Sequence, residues 1–191
     1  MLLIIIAIFT FLSFYNGIKA VYGGFYRPNV YSRIIWSLLA INAFAGLVRL
    51  ENYSAILLLS GLQVAGGLCI LILSFKYSIF KFGLAEKIAS ILLVCSGIVW
   101  LAADIPALNV AISLVAHFIG GIPTMLRVVK KPGSEYTAFW TYFAIGSFIA
   151  FLFADKSDFR NYMFAIYFAL YNSSIIFLSL RENFSFKRLW T

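Results

Sequence analysis

Six polar side chains stand in the middle of long apolar runs: Asn42, Gln63, His117, Asn172, Ser173 and Ser174. A polar group at that depth is expensive in lipid unless it meets a partner or a water-filled cavity, so these residues are the first candidates for function. Asn16 is a seventh, lying toward the end of the first run. None of them is a carboxylate. A site of amides and hydroxyls suits a neutral, hydrogen-bonding solute such as a sugar, nucleoside or vitamin, because an ion would need a compensating charge. Tyr167 and Tyr171, one helical turn apart beside Asn172, offer a surface on which a sugar ring or base can stack. The amides have an equally physical second reading as interhelical bonds worth about 0.6 kcal/mol each.

His117 is the only histidine. An imidazole titrates near pH 6.5 and can couple solute movement to protons. With no acid within a turn of it, the plainer role is a hydrogen-bonded packing residue. Hydrolysis inside a membrane needs paired acids, a serine with a base, or a metal cluster. This chain offers none of these: Asp104 and Glu135 are expected at opposite faces, and Cys69 and Cys95 are two lone thiols within apolar runs. The expectation is therefore a protein that is not an enzyme and uses no cofactor or metal. A channel is disfavoured, since no ring of charge or filter-like loop is present.

Elements that hold polar groups at such depth must be membrane spans. The chain is 63% hydrophobic and 18% aromatic, with 12% charged residues and a mean hydropathy of +0.96. A soluble domain carries about twice that charge. Seven apolar runs are present, at about 2–22, 34–50, 54–75, 84–102, 106–127, 137–154 and 161–180. Each is near the 20 or so residues that cross a bilayer as a helix. The first, MLLIIIAIFTFLSFYNG, has neither a basic leader nor a small-residue cleavage site and reads as a span.

Basic residues orient the bundle. Counted connection by connection they alternate between rich and poor, twelve falling on one side and three on the other. The N-terminus is then expected outside and the C-terminus in the cytoplasm, with Glu51, Asp104, Asp155 and Asp158 outside. The net charge of +8 is thus a topology signal and not a nucleic-acid footprint. The chain is expected to be a multi-pass protein of a plasma or bacterial inner membrane whose partners are the bilayer and a small solute. Monomer and homo-oligomer stay open.

Residues 17–36 and 121–140 echo each other at a constant offset of 104. Gly17 matches Gly121, Ile18 Ile122, Pro28 Pro132 and Trp36 Trp140, with basic residues around both prolines. Two copies of one unit follow. Residues 1–80 form a first triple-helix bundle, 81–104 a connector helix, 105–181 a second triple-helix bundle, and 182–191 a cytoplasmic tail. Three spans per unit is odd, so the extra helix restores the same orientation to both copies, giving a 3+1+3 parallel repeat. That connector reads as passive, holding little polar beyond Ser90, Cys95 and Ser96 after Glu86 and Lys87. Pro123 interrupts the fifth span and is a hinge candidate. Trp36 and Trp140 open spans two and six, as interfacial anchors or as a symmetric inner gate. Pro28 and Pro132 read as turn residues, and Gly61, Ala65, Gly67, Gly146 and Ala150 as points of close helix packing.

Gly120, Gly121, Pro123 and Thr124 carry a resemblance. In a three-plus-one-plus-three layout this element is similar to the proline-containing motif of the SWEET and PQ-loop transporters, with Thr124 where that family usually has Gln. Lys19 and Ala20 hold the corresponding places in the first copy. The Pnu vitamin transporters share the layout. The resemblance implies alternating access of a small solute through a cavity between the units, with Gly120, Gly121, Pro123, Trp36 and Trp140 at gates or hinges. A non-transporting receptor or accessory protein on the same fold is the alternative.

Overall fold

The computed structural model describes residues 1–50 and 55–181. Glu51 and the tail from 182 onward, to which the sequence assigns places outside and in the cytoplasm, lie outside the described residues. Seven α-helices follow one another: α1 (Leu2–Tyr22), α2 (Val30–Arg49), α3 (Ala55–Tyr77), α4 (Leu84–Ala103), α5 (Pro106–Lys130), α6 (Thr137–Phe153) and α7 (Met163–Leu180). A 3₁₀ turn, Phe159–Asn161, precedes α7. Among the described residues there is no β-strand, only a single bridge between Asn29 and Ile79.

Five helices, α1, α2, α3, α5 and α7, are long and apolar enough to cross a membrane, and α6 is a shorter apolar helix. Much of α1 and α3 faces outward, with Ile4, Phe11, Ile72 and Phe75 all exposed. Helices apolar on every face are at home where the surroundings are apolar too.

Two boundaries differ from the sequence reading by three or more residues. Helix α2 begins at Val30, a turn early, because the Val30 amide donates to the Ile79 carbonyl (2.8 Å) while Asn29 holds the Lys81 backbone through both ends of its side-chain amide. Helix α5 runs through Pro123 to Lys130 as one helix. The proline removes a donor without ending the helix.

Helix α3 packs on α1 and α2, and α7 on α5 and α6. These two groups meet where α1 crosses α6 and α2 crosses α5, and α4 lies against both α5 and α2. Close approach depends on missing side chains. A Cβ on Gly66 would fall 2.0 Å from the Phe14 ring, and one on Gly146 would stand 3.2 Å from the Thr10 hydroxyl.

Helix α4 is more than a passive connector. Its buried Glu86 accepts from the Ser32 hydroxyl (2.7 Å), the Asn29 amide (2.9 Å) and the Gly83 backbone N–H (3.0 Å). Further along, buried Ser96 joins Asn42, Asn109 and Ser113 in a hydrogen-bonded cluster. At the far end Arg49 pairs with Asp104 at 3.1 Å, both largely exposed.

Candidate functional site

Where the two groups of helices meet, a cavity of about 50 Å³ is lined by residues of six helices, every one but α4. Its apolar wall is made by Phe14 of α1, Phe139 and Phe143 of α6, and Phe168 of α7. Polar edges come from Arg33, Trp36 and Ser37 of α2, Gln63 of α3, His117 of α5, Trp140 of α6 and Asn172 of α7. On α2 the lining residues Arg33, Trp36, Ser37 and Ala40 follow the spacing of one helix face.

A second, larger cavity of about 310 Å³ lies at the end of the bundle where α2 and α4 begin and α5 ends. It is lined by Asn29 and Ser32 before and within α2, Lys81 and Glu86, and Pro123, Thr124 and Arg127 of α5. Arg33 and Trp36 line both cavities and form the partition between them.

The partition is built from stacked rings. The His117 imidazole lies on the Trp36 indole at 4.7 Å between centroids and 19° between planes. Phe168 and Tyr171 meet the imidazole edge-on, and its Nδ1 shares a 2.8 Å hydrogen bond with the Tyr167 hydroxyl. Room for this stack comes from α5: a Cβ on Gly120 would lie 2.9 Å from Trp36 Nε1, and one on Gly121 would lie 2.2 Å from the Tyr171 hydroxyl. The two glycines therefore admit the aromatic side chains of α2 and α7.

The Trp36 Nε1, the Gln63 Oε1 and the Tyr171 hydroxyl are buried without a hydrogen-bond partner. Groups of this kind normally find one, so three in a single region define a place with unmet bonding capacity. Asn172, also buried, donates its amide to the Phe168 carbonyl one turn back.

Arg33 is buried, at 6% exposure. Its guanidinium donates to the Tyr26 hydroxyl and lies 5.0 Å over the Trp36 ring and 5.5 Å over the Tyr26 ring. Beside it Glu135, in the turn between α5 and α6, pairs with Arg127 and accepts from the Trp140 indole (3.3 Å). Burial pushes the Glu135 carboxyl up, against the pull of Arg127, Arg33 and the Trp140 donor. The Tyr26 hydroxyl is likewise raised by burial.

The structure thus brings together Gln63, His117, Asn172, Trp36 and Trp140 around one cavity, with Tyr167 and Tyr171 packed behind the imidazole. Both tryptophans are buried, which corrects their reading as interfacial anchors. Four expected site residues lie elsewhere. Asn42 points to the α4–α5 side, where its amide donates to Ser96 (2.6 Å), Asn109 (2.7 Å) and Ser113 (2.9 Å). Asn16 is half-buried and donates to the Leu12 carbonyl of its own helix (2.7 Å). Ser173 and Ser174 are both exposed, because Asn172 takes the inward face of α7, and the Ser174 hydroxyl donates to the Leu170 carbonyl of its own helix (2.9 Å). Pro123 and Thr124 line the larger cavity and not the central one.

Arg33, Ser37 and Glu135 were missed. Arg33 reads from the sequence as a loop charge, since the apolar run starts after it; the signal that finds it is Pro28–Asn29, a helix start placed one turn earlier. Among the described residues no three of His, Cys, Asp and Glu gather as a metal site would require. No protein-family profile, curated protein or solved structure matches the chain.

Proposed function

We propose that the chain is a small membrane transporter that moves a polar solute by alternating access between two three-helix units, α1–α3 and α5–α7, linked by α4, on the plan of the SWEET and PQ-loop carriers. One observation carries this reading: a polar-edged cavity at the junction of the two helix groups leads, past a partition of Trp36, His117 and Arg33, into a larger cavity reaching one end of the bundle. A purely structural bundle gains nothing from unpaired polar groups there.

The crossings of the helices support a parallel duplication. Where α2 crosses α5, Asn42 meets Ser113; shifted by 104 residues, these positions are Gly146 and Phe9, which meet where α6 crosses α1. Ser13 donating to the Phe139 carbonyl (2.6 Å) likewise stands at the position equivalent to His117 beside α2. Orientation follows from the basic residues, which put the larger cavity at the cytoplasmic face of a cell membrane. The conformation described is then open inward. The central cavity has room for a few water molecules, so a solute of sugar, nucleoside or vitamin size requires the seam to part.

The test is uptake by purified protein in liposomes, with a panel of radiolabelled polar solutes. Saturable uptake that Gly121→Leu abolishes, by driving a side chain into Tyr171, is the expected result. Binding without uptake would move the protein to the receptor class.

A further inference from the structure

The partition residue Arg33 bears on what the solute is. Among the described residues it makes no ion pair with a carboxylate. The two acids near its two cavities are already engaged: Glu135 by Arg127 and the Trp140 indole, and Glu86 by Ser32, Asn29 and the Gly83 amide. The larger cavity is lined by Arg33, Arg127, Lys81 and Glu86, and with Glu135 paired to Arg127 beside it the region holds one positive charge in excess. A buried cation that no carboxylate touches directly is costly, and it persists where something supplies that contact.

The remaining geometry narrows the class. The rings of Tyr26, Trp36 and Phe139, at 5.5, 5.0 and 6.0 Å, lie around the Arg33 guanidinium, and the Tyr26 hydroxyl takes one of its five N–H donors. Trp36 and Gln63, buried residues that line the same cavity, add an unpartnered donor, the indole Nε1, and an unpartnered acceptor, the amide Oε1. Two donors and a single excess charge match a monoanion; one acceptor matches a hydroxyl or amino group carried with it.

We propose that Arg33 and Trp36 receive the carboxylate of a small organic acid that bears a hydroxyl or amino group, and that Gln63 accepts from that group. This replaces the neutral solute expected from the mid-span amides. It rests on reading the two cavities as a solute pathway, and the excess charge in the larger one draws anions toward the neck.

The experiment is thermal unfolding of the purified full chain in detergent with sodium lactate, against glycerol, sodium phosphate and sodium chloride at matched ionic strength. A ligand that binds the folded state raises the midpoint. Lactate is expected to raise it well beyond chloride, glycerol not at all, and Arg33→Gln to weaken the lactate effect roughly tenfold or more. Arg33→Lys keeps part of it. If Arg33→Gln fails to fold, Trp36→Phe, which removes the unpaired donor and trims the ring that Arg33 and His117 lie against, is expected to weaken the lactate effect, and an unchanged shift would overturn the proposal. So would a glycerol shift equal in wild type and Arg33→Gln, a lactate shift no larger than that of chloride, or a phosphate shift larger than that of lactate. Liposome uptake separates the two claims. Arg33-dependent lactate binding without uptake removes transport and leaves the acid site standing; neutral-sugar uptake untouched by Arg33→Gln removes the acid site and leaves transport.

Discussion

In the proposed duplication the crossing of α2 with α5 and the crossing of α1 with α6 are counterparts, yet their side chains meet in different ways. At the first, Asn42, Asn109, Ser113 and Ser96 of α4 form a closed hydrogen-bonded cluster, with Asn109 returning its own amide to the Asn42 carbonyl (3.1 Å). At the second, Gly146 stands at the position of Asn42 and packs against Thr10, Phe9 and the Ile6 carbonyl, with the Thr10 hydroxyl turned back onto its own helix. Hydrogen bonds have directions and distances to keep; small-residue contacts tolerate a slide. The lesson is that the two copies of a proposed repeat need not be fastened alike. In the proposed rocking motion the α2–α5 seam, with α4 against both helices, is the stiffer one, and the α1–α6 seam, tied by the Ser13 bond to the Phe139 carbonyl, the looser.

Substitutions can break this contrast in order of size. Gly146→Leu forces a branched side chain between α6 and α1 and is expected to cost about 3 kcal/mol, read by reversible unfolding in mixed micelles. Asn42→Ala leaves the Asn109 carbonyl oxygen without its amide donor from α2, costs about 2 kcal/mol, and leaves solute affinity unchanged. A loss of affinity with intact stability would return Asn42 to the binding site. Smaller again is the difference between the two tryptophans: Trp140→Phe removes a donor to the buried Glu135 and costs about 1.5 kcal/mol in hydrogen bonding, whereas Trp36→Phe removes an indole N–H that has no partner. Equal losses would mean that the two rings play the same part. Ser13→Ala, which deletes one bond from α1 to α6, is expected to cost about 1 kcal/mol in the same assay.

The helices were legible because apolar length is written directly in the chain, and so was the convergence of Gln63, His117 and Asn172, since polar groups at mid-depth turn inward. Rotation about each helix axis was not. On a span apolar all round, hydropathy does not say which face meets protein and which meets lipid. Ser173 and Asn172 are adjacent residues of the same polar kind, and only packing sends one outward and the other in. Asn42 has the right depth but faces α4 and α5, a direction set by partners 54 to 71 residues away. Arg33 was hidden for another reason: its charge assigns it to a loop, while a helix that starts a turn early carries it inside.

The fastening of α4 has one more consequence. Glu86 grips Ser32 and Asn29 near one end of the helix, Ser96 grips Asn42 further along, and Asn29 also holds the Lys81 backbone in the segment that leads in. Side chains alone thus span the join that the peptide makes between α3 and α4. A polypeptide nicked at residues 78–83 would remain one particle, and its two pieces, synthesised apart, would have the handholds to find each other.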